Sequence, residues 1–288
     1  MSVTSRDITI KGTCLAALIM VLTVVLHLIV GTPTIGIFRA PLNILLLVLW
    51  LVGLWLGYRH RRESAVIRYM LSWSATWLSL ALMVGVGIYL GLQSSPSGES
   101  YPVITALLFV ASHITLIILR GWRNALGIRW RFLITHVGLW LLLVAGLYGA
   151  PDRHQMRAIL YHATPTNEAF TMQGVATYLD FEMELEDYTM ELNSRGVAEN
   201  MEARLKIDNR DATLRVNHPY NESWHRKIYL IEIAPKSKEQ MEYCIVEIIE
   251  EPWQWLTLIG IVMLMAGSLL LFLQGPRRGV NKKTTNAV

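Results

Sequence analysis

The sequence predicts a polytopic α-helical membrane protein of six spans, with an external all-β domain between spans five and six. Three observations carry this fold class. Six stretches of 17–22 residues contain no Asp, Glu, Lys or Arg, and a helix needs about 20 apolar residues to cross a bilayer. One stretch of about 100 residues, 151–252, has no such run and is rich in charge. Over the 288 residues, 53% are hydrophobic and 17% charged, and the mean hydropathy is +0.37. A soluble domain has about 25% charged residues, so the composition excludes a fully soluble or disordered chain.

The expected spans are 13–30, 41–57, 71–92, 102–119, 132–150 and 255–274. They must be helices, because an open strand in lipid leaves backbone groups unpaired. The first has no small-residue cleavage site behind it and exceeds the ~7–15-residue core of a signal peptide, so it is expected to be retained. Orientation follows from basic residues. Arg6 and Lys11 precede span one, and Arg59, Arg61, Arg62 and Arg68 lie between spans two and three. Arg120, Arg123, Arg129 and Arg131 lie between spans four and five, and Arg277, Arg278, Lys282 and Lys283 follow span six. These 14 cations alternate with two short loops holding only Arg39 and Glu99. Both termini are therefore expected in the cytoplasm and 151–252 outside the inner membrane, in the periplasm. Trp122, Trp130, Trp253 and Trp255 fall at expected membrane interfaces. The divisions expected are 1–70, two helices with a basic cytoplasmic loop; 71–150, three helices; 151–252, the β domain; 253–274, the last helix; and 275–288, a polar cytoplasmic tail expected to be unstructured.

The external domain reads as β. Phe181, Met183 and Leu185 alternate with Glu182, Glu184 and Glu186, giving one dry face and one wet face. Further short strands are expected at 213–216, 228–233 and 243–249, the last with Ile245 and Ile249 sharing a face. Turn chemistry falls at 193–196, 208–211, 217–219 and 234–237. About six strands predict a small sandwich or an open barrel. The domain carries 19 acidic and 11 basic residues, which excludes a nucleic-acid binder.

Cys14 and Cys244 are the only cysteines. A disulfide framework, a cysteine zinc site and a CxxC redox pair are excluded, and the topology keeps the two thiols apart. There is no phosphate loop, HExxH, GxSxG or CxxCH motif. The domain's carboxylates alternate along strands as solvated faces do. Chemistry is therefore sought in the spans, where polar groups are costly. His27, His113 and His136 lie there. His113 precedes Arg120 by seven residues and His136 follows Arg131 by five, which sets them about 10 and 8 Å from those arginines along antiparallel helices. Neutral imidazole ligates haem iron. The competing reading is that each ring ties helices together through a hydroxyl or a carbonyl, and for His27 that it reaches the interface.

From 71 to 275 the order of elements resembles the ResB (CcsB) family of system II cytochrome c maturation. Thr135-His136-Val137-Gly138-Leu139 resembles the family's histidine-led helix, and Leu141–Gly146 with Gly149 resembles its aliphatic-glycine run. Leu179-Asp180-Phe181-Glu182 resembles the first strand of its domain, and Val216-Asn217-His218-Pro219-Tyr220 its VN-x-P segment, followed by the strand 227–231. Pro252-Trp253-x-Trp255 with Gly260 and Gly267 resembles its last span. Residues 13–57 have no counterpart, and the domain is short for the family.

The resemblance implies a haem-handling subunit rather than a covalent catalyst. With a CcsA/ResC-type membrane partner it would move haem b across the bilayer and present it to apocytochrome c. The partner's tryptophan-rich segment is absent here, which implies the CcsB half. The resemblance implicates His136 in binding haem iron; His113 is a candidate by depth alone. Helices packed ~8–10 Å apart leave little room for haem between them, so a partner helix is expected opposite His136. Arg120, Arg129 or Arg131 could pair with propionates. Two other classes stay open: a membrane sensor with an external β domain, and a di-haem cytochrome b-like redox subunit, which would want two histidine pairs at two depths.

Overall fold

The computed structural model describes residues 3–93, 99–124, 127–192, 198–234 and 242–274. The turn expected at 193–196, most of that at 234–237, and the tail 275–288 lie outside the described residues. The chain divides into two compact units, one formed by 1–151 with 255–288, the other by 152–254.

The first unit is helical. Its long helices are α1 (Val3–Val30), α2 (Leu42–His60), α4 (Trp73–Leu92), α5 (Tyr101–Gly121), α6 (Trp130–Tyr148) and α7 (Gln254–Gln274), and all six are long and apolar enough to cross a membrane. A short helix, α3 (Ala65–Met70), precedes α4. Serine caps explain the break: Ser64 Oγ accepts from the Ile67 N–H and Ser72 Oγ from the Ala75 N–H, so two helices start within nine residues. The helix over the third expected span therefore begins at Trp73. Between α5 and α6 a small ribbon pairs β1 (Arg123–Asn124) with β2 (Gly127–Ile128). Of the six, α5 is the most buried and α1 the least. Polar side chains bind the helices to one another. Asn43 is buried and donates to the Tyr148 carbonyl at 2.8 Å. Trp50 donates to Ser112 Oγ at 3.1 Å and Trp140 to Thr115 Oγ1 at 2.9 Å. Gly138 of α6 and Gly260 of α7 meet at backbone distance: a Cβ on Gly138 would lie 3.0 Å from the Gly260 carbonyl oxygen.

The second unit is one antiparallel sheet of eight strands: β3 (His154–Tyr161), β4 (Thr166–Thr171), β5 (Ala176–Leu192), β6 (Ala198–Ile207), β7 (Arg210–Arg215), β8 (Tyr220–Asn221), β9 (Arg226–Ala234) and β10 (Tyr243–Glu250). Neighbours in sequence pair, except β7 and β8, and the last strand, β10, pairs with the first, β3. The two edges, β7 and β8, are consecutive in the chain. Arg215 and His218 exchange backbone hydrogen bonds at the turn between them, with Asn217 at φ +62°. β6 and β7 also lie against β9. The sheet is thus wound into an open barrel, one of the two architectures expected.

Its inside is a single apolar cluster. Phe181, Met183 and Leu185 face it, as alternation predicted, with Leu205, Leu214, Ile228 and Val246 around them. Two bulges keep alternation in phase with the curved wall. Glu186 is the extra residue of β5, after which Tyr188 packs on the core. Ile231 is the extra residue of β9, so Leu230 and Ile233 both turn inward. On β10 the inward face is Cys244, Val246 and Ile248, while Ile245 and Ile249 lie on the outer one. Burial pushes the Cys244 thiol up to about 12. Both cysteines are free, as expected.

Among the described residues, eight strands rather than about six form the sheet. β3 and β6 elude the pattern because alanines (158 and 203) fill inward positions and weaken the apolar alternation. At the base of the unit, Trp253 donates to Asp152 Oδ2 at 2.6 Å, and the Glu251 N–H to the His225 carbonyl at 2.8 Å. Trp253 is therefore a side-chain tie within this unit. Arg226 is nearly buried, 2.7 Å from Glu250, 2.9 Å from Asp180 and 3.2 Å from Glu222, over the Phe181 ring. Burial works against its charge, but Glu250, then Asp180 and Glu222, hold its pKa above the ordinary value.

Candidate functional site

A cavity of about 680 Å³ lies between α4, α5 and α6, and both His113 and His136 line it. Its volume is in the ~300–1,000 Å³ range of small-molecule sites. Apolar and polar side chains share the walls about equally, with Thr9 of α1 also at the edge. From α4 come Ser72, Thr76 and Ser79, spaced at i, i+4 and i+7 on one helix face. Arg120 enters from the end of α5, its Nη1 donating to the Leu71 carbonyl at 2.9 Å.

The two histidines are held differently. His113 is buried, and both its nitrogens are engaged. Nδ1 lies 2.6 Å from the Met70 carbonyl and Nε2 3.2 Å from Thr76 Oγ1. A carbonyl only accepts, so Nδ1 carries the proton, while Nε2 faces the Thr76 hydroxyl, which also lies 3.4 Å from the Ser72 carbonyl. His113 thereby fastens the α3–α4 break to α5, the helix-tying role. His136 makes one bond, from Nδ1 to the Phe132 carbonyl at 2.9 Å. Nδ1 is again the protonated nitrogen. Nε2 is then unprotonated and has no hydrogen-bond partner among the described residues. Phe132 also stacks on the imidazole at 4.0 Å, with Arg129 4.7 Å above the Phe132 ring. The ring is thus fixed in tautomer and in plane.

The structure brings His113, His136 and Arg120 to one cavity. Arg129 and Arg131 do not line it; Arg129 donates to the Gly121 carbonyl at 3.2 Å. His27 is on α1, 3.0 Å from the Gly31 carbonyl, where it closes that helix's own end. The serine–threonine row of α4 escaped sequence reasoning, although its spacing was legible in 72–79. Ser79 Oγ is buried with no partner among the described residues. No cluster of three metal-ligating side chains occurs among the described residues.

A solved structure, the cytochrome c heme lyase CcmF, is similar over 90% of this chain at 19% identity with a TM-score of 0.40. The chain spans 44% of that protein's length. No curated protein matches. Residues 123–247 match the ResB-like family, a narrower region than the 71–275 over which wording resembles it. The matched region contains His136, α6 and most of the barrel, and leaves His113 and the last span outside. Over residues 123–247 this chain is similar to the ResB-like family, the family of system II cytochrome c biogenesis.

Proposed function

We propose that the chain is a haem-handling subunit of cytochrome c biogenesis in the inner membrane, with His136 as an axial ligand of haem b. Haem is here cargo rather than a resident cofactor. The observation that supports the reading most is the held tautomer of His136. A ligating imidazole presents an unprotonated nitrogen and anchors its other N–H on a carbonyl or carboxylate. His136 has this arrangement on the wall of the cavity that Arg120 also lines. Arg120 would pair with a propionate from the basic end. His113, occupied at both nitrogens, positions α4 and is the poorer ligand. The opposite axial ligand then comes from a CcsA/ResC-type partner, and the periplasmic barrel meets apocytochrome c. Both termini are cytoplasmic in this reading, in accord with the basic loops.

The test is the haem spectrum of the complex purified with its partner. His136→Ala is expected to lower co-purifying haem at least several-fold with protein level unchanged, and added imidazole should restore part of the Soret band. His113→Ala should change thermal stability more than haem content. Full haem content and full cytochrome c maturation with alanine at 136 would refute the ligand assignment.

A further inference from the structure

The barrel has two ends, and strand register marks one of them. His154 of β3 lies opposite Glu250 of β10, and Glu250 opposite Arg226 of β9. The turn 222–225, before β9, extends past this row, and its His225 carbonyl accepts from the Glu251 N–H. On the other side of β3, Met156 lies opposite Thr171 of β4, so the turn 172–175 reaches the same level. The chain also enters and leaves the barrel at this end. Residues 149–153 join α6 to β3, and residues 251–253 join β10 to α7. At about 3.5 Å per extended residue, the four steps from Glu250 to Gln254 place the row within roughly 14 Å of the start of α7.

Large apolar side chains stand in the open on these two turns. Trp224 is 64% exposed, Val175 62% and Met172 49%. At the opposite end the turn 163–165 is Ala-Thr-Pro, and Val216, after β7, is 40% exposed. We propose that the turns 172–175 and 222–225 rest on the bilayer surface, with Met172, Val175 and Trp224 seated in its headgroup layer. Position names lipid as the occupant. Helices of membrane-spanning length stop or start within a few residues of the row, and the headgroup layer adds about 5–7 Å on each side of the hydrocarbon core. Tryptophan favours that layer, with an apolar ring and a wet N–H. Charges at this end are engaged with one another: Arg153 with Glu251 at 2.9 Å, and Arg226 with Glu250 and Glu222. A paired charge costs less to bring against lipid than a lone one. The two connections leave from neighbouring strands and are tied together by Trp253 and Asp152, so they act as one hinge. The apolar turns stand on either side of that hinge and keep the barrel from rocking on it. This surface needs α6 and α7 to cross the bilayer; it needs neither haem at His136 nor a given side of the membrane.

Spin labels on the full chain in phosphatidylcholine nanodiscs test the proposal, in a Cys14→Ala background with the buried Cys244 left in place. Labels introduced through Met172→Cys and Val175→Cys should each show a ratio of oxygen to nickel-chelate accessibility several-fold above that of a label introduced through Thr164→Cys. Met172→Glu and Trp224→Glu together should bring the label at 175 down to the ratio at 164. The thermal unfolding midpoint reports that the fold is kept. Should a label at 175 unfold the chain, Gln173→Cys on the same turn takes its place. Equal ratios at 172, 175 and 164 overturn the proposal. So does a high ratio at 175 that survives both glutamates, because the connections alone then hold the turn near lipid.

Discussion

The helical unit and the barrel unit are built from the same apolar residues in opposite arrangements. In the barrel, apolar side chains point inward and form one closed cluster, while Glu182, Glu184 and Glu186 face out. In the helical unit Leu22, Leu28, Leu49, Trp77 and Ile88 face outward, while Asn43, Ser79, His113 and Thr115 are buried. Water makes the barrel's core by expelling apolar surface. Lipid exerts no such pressure between helices, so small residues and interhelical hydrogen bonds hold them instead. The difference teaches where each unit is fragile: the barrel to lost volume, the helices to added volume and lost polar ties.

Five substitutions sharpen that contrast, taken from the largest expected loss to the smallest, with Gly87→Ala as the neutral control. Leu205→Ala removes a fully buried side chain from the barrel and should cost about 2–5 kcal/mol. Limited proteolysis should show 152–254 opening first. Gly138→Val should cost about 1–3 kcal/mol of helix packing, because Gly260 backbone stands where the side chain would go. Gly87→Ala, which meets nothing within 4 Å, should instead be neutral within about 1 kcal/mol. Equal effects at 138 and 87, read as thermal shifts in detergent, would break the contrast.

The barrel core also carries a proton. The Cys244 thiol has its folded value raised to about 12 from an ordinary 9.0, so above pH 9 the unfolded chain gives up a proton that the folded barrel keeps. Stability therefore falls as pH rises from about 9 toward 12, by about 1.4 kcal/mol per unit from this group. Denaturation of the protein at pH 8 and pH 10 should show a loss of roughly 1 kcal/mol that Cys244→Ala lacks. The smallest loss belongs to Trp140→Phe, which removes the bond to Thr115; an interhelical hydrogen bond of this kind averages about 0.6 kcal/mol.

Hydropathy and alternation alone determined much of this protein. The six apolar helices follow from uncharged runs, because span length is set by the bilayer. The inward set of β5 follows from Phe181, Met183 and Leu185, because strand period is two. His136 was legible as a polar ring on an apolar helix within a family-like segment. Tertiary structure decided the rest. Whether the strands form a sandwich or a barrel depends on β3 pairing with β10, a contact about 90 residues apart that no local pattern encodes. The inward face of β10 was decided by its register with β3 and β9, not by which of its isoleucines looked more apolar. His113 and His136 are both single histidines near basic loops in sequence. They differ only because the α3–α4 break brings the Met70 carbonyl and Thr76 to one ring, while the other meets nothing beyond its own helix turn. Hydrogen-bond partners on other elements exist only once the helices pack, and it is those partners that separate the tie at His113 from the open nitrogen at His136.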